Sequence, residues 1–367
     1  MSNTLRQLSA EQDQSPWLDN LQRSYITNGT LKQLIADGVR GLTSNPTIFQ
    51  KAIQGSNDYD AQFVELIKNG ISPENAYWDL VISDINAALA LFEDLYHESS
   101  GTDGFVSVEV DPSLARDGDG TLNAARALHE RIGKPNVMIK IPATEEGLPA
   151  IRHMIAEGRN VNVTLIFSLE RYGDVMEAYI SGLEDRAAQG LSVSGISSVA
   201  SFFISRVDNE IDKQLDALGT AEASELKGKS AINQARLAYR MFSDKFSGHR
   251  WQALEAAGAQ VQRPLWASTS TKNPAYPDTL YVDELIGPRT VNTIPEATLH
   301  AFADHGRVAR TIDASVDVAA QQWDTLKSFG IDVAAIAIQL ESDGVASFIA
   351  SFNELLEALR VKAGEVV

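Results

Sequence analysis

Cysteine is absent from this 367-residue chain, which excludes disulfides, thiolate metal ligands and a cysteine nucleophile. Basic residues are outnumbered: 31 lysines and arginines stand against 49 aspartates and glutamates, a formal charge of −18. That balance opposes nucleic acid and anionic membranes as partners. A small anionic substrate stays compatible with it wherever local cations gather. No apolar run approaches the roughly 18 residues that suggest a membrane span. Residues 1–14 also lack the basic-then-apolar order of a signal peptide. A cytoplasmic location is the expectation.

Tandem repeats, low-complexity tracts and linkers rich in Pro, Gly or Ser are missing too. Instead, short apolar runs alternate with helical patterns, which predicts βα units and a parallel sheet. With 44% hydrophobic and 22% charged residues, the composition is close to that of soluble globular proteins, and the length allows a large core. Eight candidate strands fall near 17–21, 41–45, 105–110, 137–142, 161–167, 198–203, 263–269 and 290–294, the first resting on a short stretch from Trp17 to Leu21. Between them, Ser72-Pro73 reads as an N-cap followed by proline at the first helical position. It opens a helix with Val81, Ile85, Ala88, Leu89, Phe92 and Tyr96 on one face. Residues 208–218 read as a helix with charges outside and Val207, Ile211 and Leu215 inside, and 228–260 as one or two more helices. From about 312 to 364 the chain reads as helices with no further strand.

The spacing between strands supports a closed architecture. Glu109 and Lys140 are 31 positions apart, and Lys140 and Thr164 are 24 apart, each one βα repeat. The expected fold is α/β: one (β/α)8 TIM barrel domain spanning 1–367, with helical insertions and a helical C-terminal tail packed on it. A doubly wound sheet is the alternative, but no G-x-G-x-x-G turn follows any strand.

Strands covered on both faces should be nearly all apolar, and three consecutive ones here are not. In Val106-Ser107-Val108-Glu109-Val110, alternation puts Ser107 and Glu109 on one face. In Val161-Asn162-Val163-Thr164-Leu165 it does the same for Asn162 and Thr164. Between them, Val137-Met138-Ile139-Lys140-Ile141-Pro142 carries a lysine in an apolar run. Burial lowers the pKa of a lysine, and the neutral amine is a nucleophile able to form a Schiff base with a carbonyl. Taken singly, Lys140 also fits a snorkelling residue at a strand end. Three polar strand ends side by side fit the place where barrel active sites form.

Other candidates have bland readings of their own. Asn45 before Pro46 reads as an N-cap, Asp19 as a loop carboxylate, and Thr164 as a hydroxyl satisfied locally. Glu109 needs a partner among its valines. Ser201 to Arg206 and Ser268 to Lys272 bring hydroxyls and cations to neighbouring strand ends, where they can hold a phosphate; solvated turns are the other reading. The string Asp117-Gly118-Asp119-Gly120-Thr121 follows no buried strand, and position 12 of a calcium loop starting there is Leu128 rather than glutamate, so it reads as a loop with an N-cap. The six histidines, His97, His129, His153, His249, His300 and His305, show no ligand spacing. No metal site is expected.

The ordered set Leu42-Thr43-Ser44-Asn45-Pro46-Thr47, Val106 to Asp111, Met138 to Thr144, Asn162 to Ser168, Ser201 to Arg206 and Trp266 to Lys272 resembles the transaldolase family in its longer bacterial form. The resemblance covers roughly residues 15 to 300. It implies a cofactor-free, class I reaction of the pentose phosphate pathway on phosphorylated ketose and aldose substrates. A dihydroxyacetone unit would move from sedoheptulose 7-phosphate to glyceraldehyde 3-phosphate, giving erythrose 4-phosphate and fructose 6-phosphate. By the same resemblance Lys140 is the Schiff-base nucleophile and Asp19 takes the proton of the C4 hydroxyl. Glu109 and Thr164, with a water, move protons around the carbinolamine. Asn45, Asn162 and Ser201 bind the dihydroxyacetone hydroxyls, and Arg206 binds the distal phosphate.

Phe203, near the sixth strand end, is expected to offer apolar surface that keeps water from the intermediate. One departure stands out. Many relatives carry Ser-Phe-Arg where this chain has Ser268-Thr269-Ser270, so Lys272 is expected to supply the phosphate charge beside Ser268, with Ser270 as the alternative. A monomer or homodimer is expected. Competing readings are a fructose-6-phosphate aldolase-like enzyme on the same site and, in another class, a non-catalytic sugar-phosphate-binding barrel.

Overall fold

A computed structural model describes residues 4–366. Eight parallel strands form a closed barrel in chain order: β1 (Gln14–Leu18), β2 (Gly41–Thr43), β3 (Phe105–Glu109), β4 (Val137–Pro142), β5 (Val161–Ile166), β6 (Ser198–Phe203), β7 (Arg263–Ala267) and β8 (Thr290–Ile294). Helices cover the outside between successive strands, so every strand is buried on both faces. This is the expected (β/α)8 barrel. Three strands, β4, β6 and β8, have the predicted limits.

The first strand lies three residues earlier than expected. Gln14, Ser15 and Pro16 look like a turn, yet Gln14 is fully buried. Its Nε2 donates to Leu285 O (2.7 Å) and Thr290 Oγ1 (2.8 Å), which satisfies both amide hydrogens and lets the strand start there. As a result Asp19 sits just beyond the end of β1, where its backbone N–H still donates to Ile294 O at 3.0 Å.

The N-cap signals hold. Ser72 caps the helix Pro73–Glu98, and Asp117 caps Gly118–Ile132 by accepting from Gly120 N at 2.9 Å. Val81, Ile85, Ala88, Leu89 and Phe92 are buried along the first of these. Residues 228–260 hold two helices, Ser230–Lys245 and His249–Ala256. The helix expected at 208–218 spans Ser205–Leu218, and its acidic residues are not all outside: Asp208 and Asp212 are buried. Helical periodicity alone assigned them to solvent, whereas a neighbouring loop covers that face.

The tail forms two helices, Val316–Ser328 and Val333–Val366. The second departs from expectation in composition. It is long and apolar enough to cross a membrane, with a mean hydropathy of 1.4 over its best window. Glu341 and Asp343 interrupt the apolar letters without lowering that mean enough. Ile336, Val345, Phe348, Phe352, Leu355 and Leu359 are nonetheless buried in the same apolar core as the barrel, so this apolar face is already used by the fold.

Candidate active site

Strand register puts the polar side chains side by side at the C-terminal end of the barrel. Glu109 on β3 pairs with Lys140 on β4, Lys140 with Asn162 on β5, and Pro142 with Thr164. Paired residues of adjacent parallel strands point to the same face, so the three polar strand ends converge. Lys140 is 5% exposed. Its Nζ donates to Ser44 O at 2.9 Å and lies 3.3 Å from Glu109 Oε2. Burial pushes the Glu109 carboxyl up, and the Lys140 charge pulls it back down in part.

Asp19 stands opposite on the rim. Thr43 Oγ1 donates to its Oδ1 at 2.8 Å and is itself 2.5 Å from Thr293 Oγ1. Burial raises the Asp19 pKa above the ordinary carboxylate range, against the lowering influence of Lys140, Thr43, Arg206 and Lys272. A carboxylate raised in this way is better matched to taking a proton near neutral pH.

A cleft of about 340 Å³ opens here. Asp19, Asn45, Lys140, Thr164, Ser201, Phe203, Arg206, Ser268, Ser270 and Lys272 all line it. Asn45 combines both of its readings: its Oδ1 accepts from Ile48 N at 2.9 Å as the cap of the helix Pro46–Gln54, and its side chain also borders the cleft. Asn162 is placed differently. It is fully buried beneath the cleft, where its Nδ2 donates to Ser107 Oγ (3.1 Å) and its Oδ1 accepts from Ser201 Oγ (2.7 Å). Glu109 likewise lies behind the lysine rather than on the cleft wall. Thr164 Oγ1 is buried with no hydrogen-bond partner among the described residues, an unsatisfied hydroxyl of the kind that marks functional sites.

Cations gather on one side. The Arg206 guanidinium lies 5.3 Å from the centroid of the Phe203 ring, and burial lowers its pKa while Asp19, Glu109 and Asp343 raise it. Lys272 donates to Ser270 Oγ at 2.7 Å. Ser268, in a left-handed conformation (φ 58°), shares a hydrogen bond with Ser205 Oγ at 2.8 Å. Phe203 packs on Phe167 with ring centroids 4.9 Å apart. Together these supply an anion-binding edge beside an apolar wall.

Several lining or supporting residues escaped the sequence reading: Thr43 and Thr293, the Ser44 carbonyl, Lys51, Ser347 and Phe348. Thr47, Ile48 and Lys51 share one face of the helix that Asn45 caps, so helical spacing pointed to Lys51. Nothing local pointed to Ser347 or Phe348, which arrive from the C-terminal helix. A larger cavity, about 570 Å³, lies at the opposite end of the barrel. Its Asp103 bridges Arg40 (2.5 Å) and Arg263 (3.2 Å) across the strand starts, where barrels are closed for stability rather than for chemistry.

Comparison with known proteins places the whole chain in one family. The sequence pattern of the family described as Transaldolase/Fructose-6-phosphate aldolase matches residues 16–359. Transaldolase 1 of Streptomyces avermitilis is 49% identical over 98% of this chain and 96% of its own. The transaldolase of Thermobifida fusca is 49% identical over 97% of each chain, and that of Frankia alni 48% over 99% and 98%. By sequence, and with a barrel fold that agrees, the chain belongs to the transaldolase/fructose-6-phosphate aldolase family.

Proposed function

We propose that this chain is a transaldolase that moves a dihydroxyacetone unit from sedoheptulose 7-phosphate to glyceraldehyde 3-phosphate through a Schiff base on Lys140, in the pentose phosphate pathway of the cytoplasm. The observation that carries the reading is a buried lysine paired with Glu109 inside a cleft that also contains Asp19 and a cationic edge. Lys140 Nζ, its proton passed to Glu109, attacks the ketose carbonyl carbon, and the carbinolamine oxygen leaves as water after protonation. Glu109 and Thr164 are the groups assigned to those proton movements. Asp19 then takes the C4 hydroxyl proton, the C3–C4 bond breaks, and its electron pair flows into the iminium to give an enamine. The acceptor aldehyde reverses these steps, and hydrolysis frees Lys140.

Asn45 and Ser201, which line the cleft, are assigned to the dihydroxyacetone hydroxyls, with Asn162 accepting a hydrogen bond from Ser201 beneath them. Arg206, Ser268 and Lys272, with Ser270 bonded to the lysine, are assigned to the phosphate. The chemistry calls for no cofactor, because the lysine itself supplies the electron sink.

Borohydride reduction in the presence of fructose 6-phosphate tests the reading. An adduct mapped to Lys140 is expected, together with erythrose 4-phosphate-dependent turnover. An adduct with release of free dihydroxyacetone and no acceptor dependence would favour the aldolase reading. No adduct on folded protein would remove Lys140 from the chemistry.

A further inference from the structure

Two buried carboxylates stand one turn apart on the helix Ser205–Leu218, outside the catalytic cleft. Asp208 is 0% and Asp212 8% exposed, and neither lines the cleft. Each takes two hydrogen bonds in the same arrangement. Asp208 Oδ1 accepts from Ala231 N (2.8 Å) and its Oδ2 from the Tyr281 hydroxyl (2.7 Å). Asp212 Oδ1 accepts from Gly228 N (3.1 Å) and its Oδ2 from the Tyr276 hydroxyl (2.5 Å). Gly228 is required for this. Its φ is +70°, and a Cβ there would fall 2.8 Å from Tyr276 Cζ, so the tyrosine ring lies directly on the glycine.

Both tyrosines belong to the segment between β7 and β8, which begins at Ser268 and carries Ser270 and Lys272. The start of that segment is tied down separately. Ser205 N donates to Ser268 O at 3.1 Å, and Thr269 Oγ1 donates to Asn292 Oδ1 at 2.9 Å. Asn292 Nδ2 in turn donates to Tyr281 O at 3.2 Å. Thus the stretch bearing Lys272 is anchored at its entry by Ser268–Thr269 and at its exit by Tyr276 and Tyr281. Arg206 sits in the first turn of the same helix that carries both carboxylates, half a turn before Asp208.

We propose that Asp208 and Asp212 are positioning residues for phosphate recognition: through Tyr281 and Tyr276 they fix the β7–β8 segment so that Ser270 and Lys272 stand at a set distance from Arg206. The proposal rests on the assignment of Arg206 and Lys272 to the substrate phosphate. Burying a carboxylate is costly unless its oxygens are satisfied, and a purely structural contact between helix and loop needs no ionisable group. Two carboxyl–tyrosine pairs in tandem provide directional bonds that hold a loop rich in Asn, Pro, Thr and Ser. A flexible lysine side chain gains most from a rigid base.

The test compares Tyr276→Phe, Asp212→Leu, Asp212→Asn and Lys272→Ala, each singly and the first combined with the last. In Tyr276→Phe and Asp212→Leu, KM for fructose 6-phosphate is expected to rise about tenfold with kcat within about twofold. Kinetics with unphosphorylated fructose are expected to be unchanged. Asp212→Asn keeps the Gly228 bond and can donate to the Tyr276 oxygen, so it is expected to restore most of the affinity. In the Lys272→Ala background, Tyr276→Phe is expected to add little, since the pair acts as a unit.

Hydrogen exchange over residues 269–285 gives a readout independent of substrate: protection is expected to fall in Tyr276→Phe. Unchanged protection overturns the staples themselves. Lost protection with unchanged KM overturns their role in phosphate recognition. If Lys272→Ala alone leaves KM unchanged, the phosphate assignment has failed, and the positioning role falls with it.

Discussion

After burial and the Lys140 charge, Thr43 is the next influence on the state of Asp19. Its hydroxyl donates to Asp19 Oδ1 at 2.8 Å, and that bond opposes the rise in pKa that burial causes. Removing it in Thr43→Val favours the protonated acid further. The acidic limb of the kcat/KM profile is expected to move to higher pH, with kcat near neutral pH falling about tenfold, the size of one hydrogen bond to a charge. A profile superimposable on that of the parent would rule out this role. Asp208 offers a second residue-level prediction. Burial, the largest cause, raises its pKa to about 7, helped by the nearby charge of Asp212 and opposed by bonds from Ala231 N and Tyr281. A folded-state pKa above the unfolded value means that stability is fully present below about pH 4 and is lost as pH rises through about 7. Relative to Asp208→Asn, the parent's advantage in unfolding free energy is therefore expected to shrink by roughly 2–3 kcal/mol between about pH 5 and pH 8. Denaturant titrations at the two pH values measure it, and a constant gap would refute it.

At the scale of elements, the helix Val333–Val366 does more than cover the barrel. Ser347 and Phe348 enter the cleft wall, and Thr47 and Ser351 share a hydrogen bond of 2.8 Å that joins it to the helix capped by Asn45. Its approach depends on Gly344, where an added Cβ would lie 2.9 Å from Leu165 Cδ2 and 3.5 Å from Arg206 Nη1. Leu165 sits at an irregularity of β5 with φ at 61° and is buried, leaving it little freedom to withdraw. Glycine within a helix costs about 1 kcal/mol relative to alanine, so the close approach is what this position gains. Gly344→Val is expected to raise the KM for fructose 6-phosphate severalfold by displacing the helix from Arg206, with a loss of about 1–3 kcal/mol in stability. An unaltered KM would separate the helix from phosphate binding.

For the whole molecule, a charge of −18 surrounds a cleft edged by Arg206, Lys51 and Lys272. Three cations on one edge of that cleft give it local positive charge in an acidic molecule. Among the described residues no group of three or more His, Asp or Glu side chains is placed to hold a metal ion. Exhaustive treatment with a chelator is accordingly expected to leave transfer activity unchanged. Activity lost on chelation and restored by a divalent ion would contradict a lysine-only mechanism.

The amino-acid sequence by itself determined the barrel and the gathering of polar strand ends at one place in it. Eight apolar runs at βα spacing have one economical closure, and polar residues inside such runs have to face a common site. Lys140, Glu109 and Thr164 were legible as converging strand-end residues for that reason, and Asn45 as a helix cap through its place before a proline. Only the tertiary structure decided what neighbours each residue keeps. Asn162 turned out to brace Ser201 from beneath, Thr43 to steady Asp19, and Asp208 and Asp212 to face a loop instead of water. These outcomes depend on partners 16 to 73 positions away. Periodicity reports which side of an element a residue occupies, but not which other element covers that side.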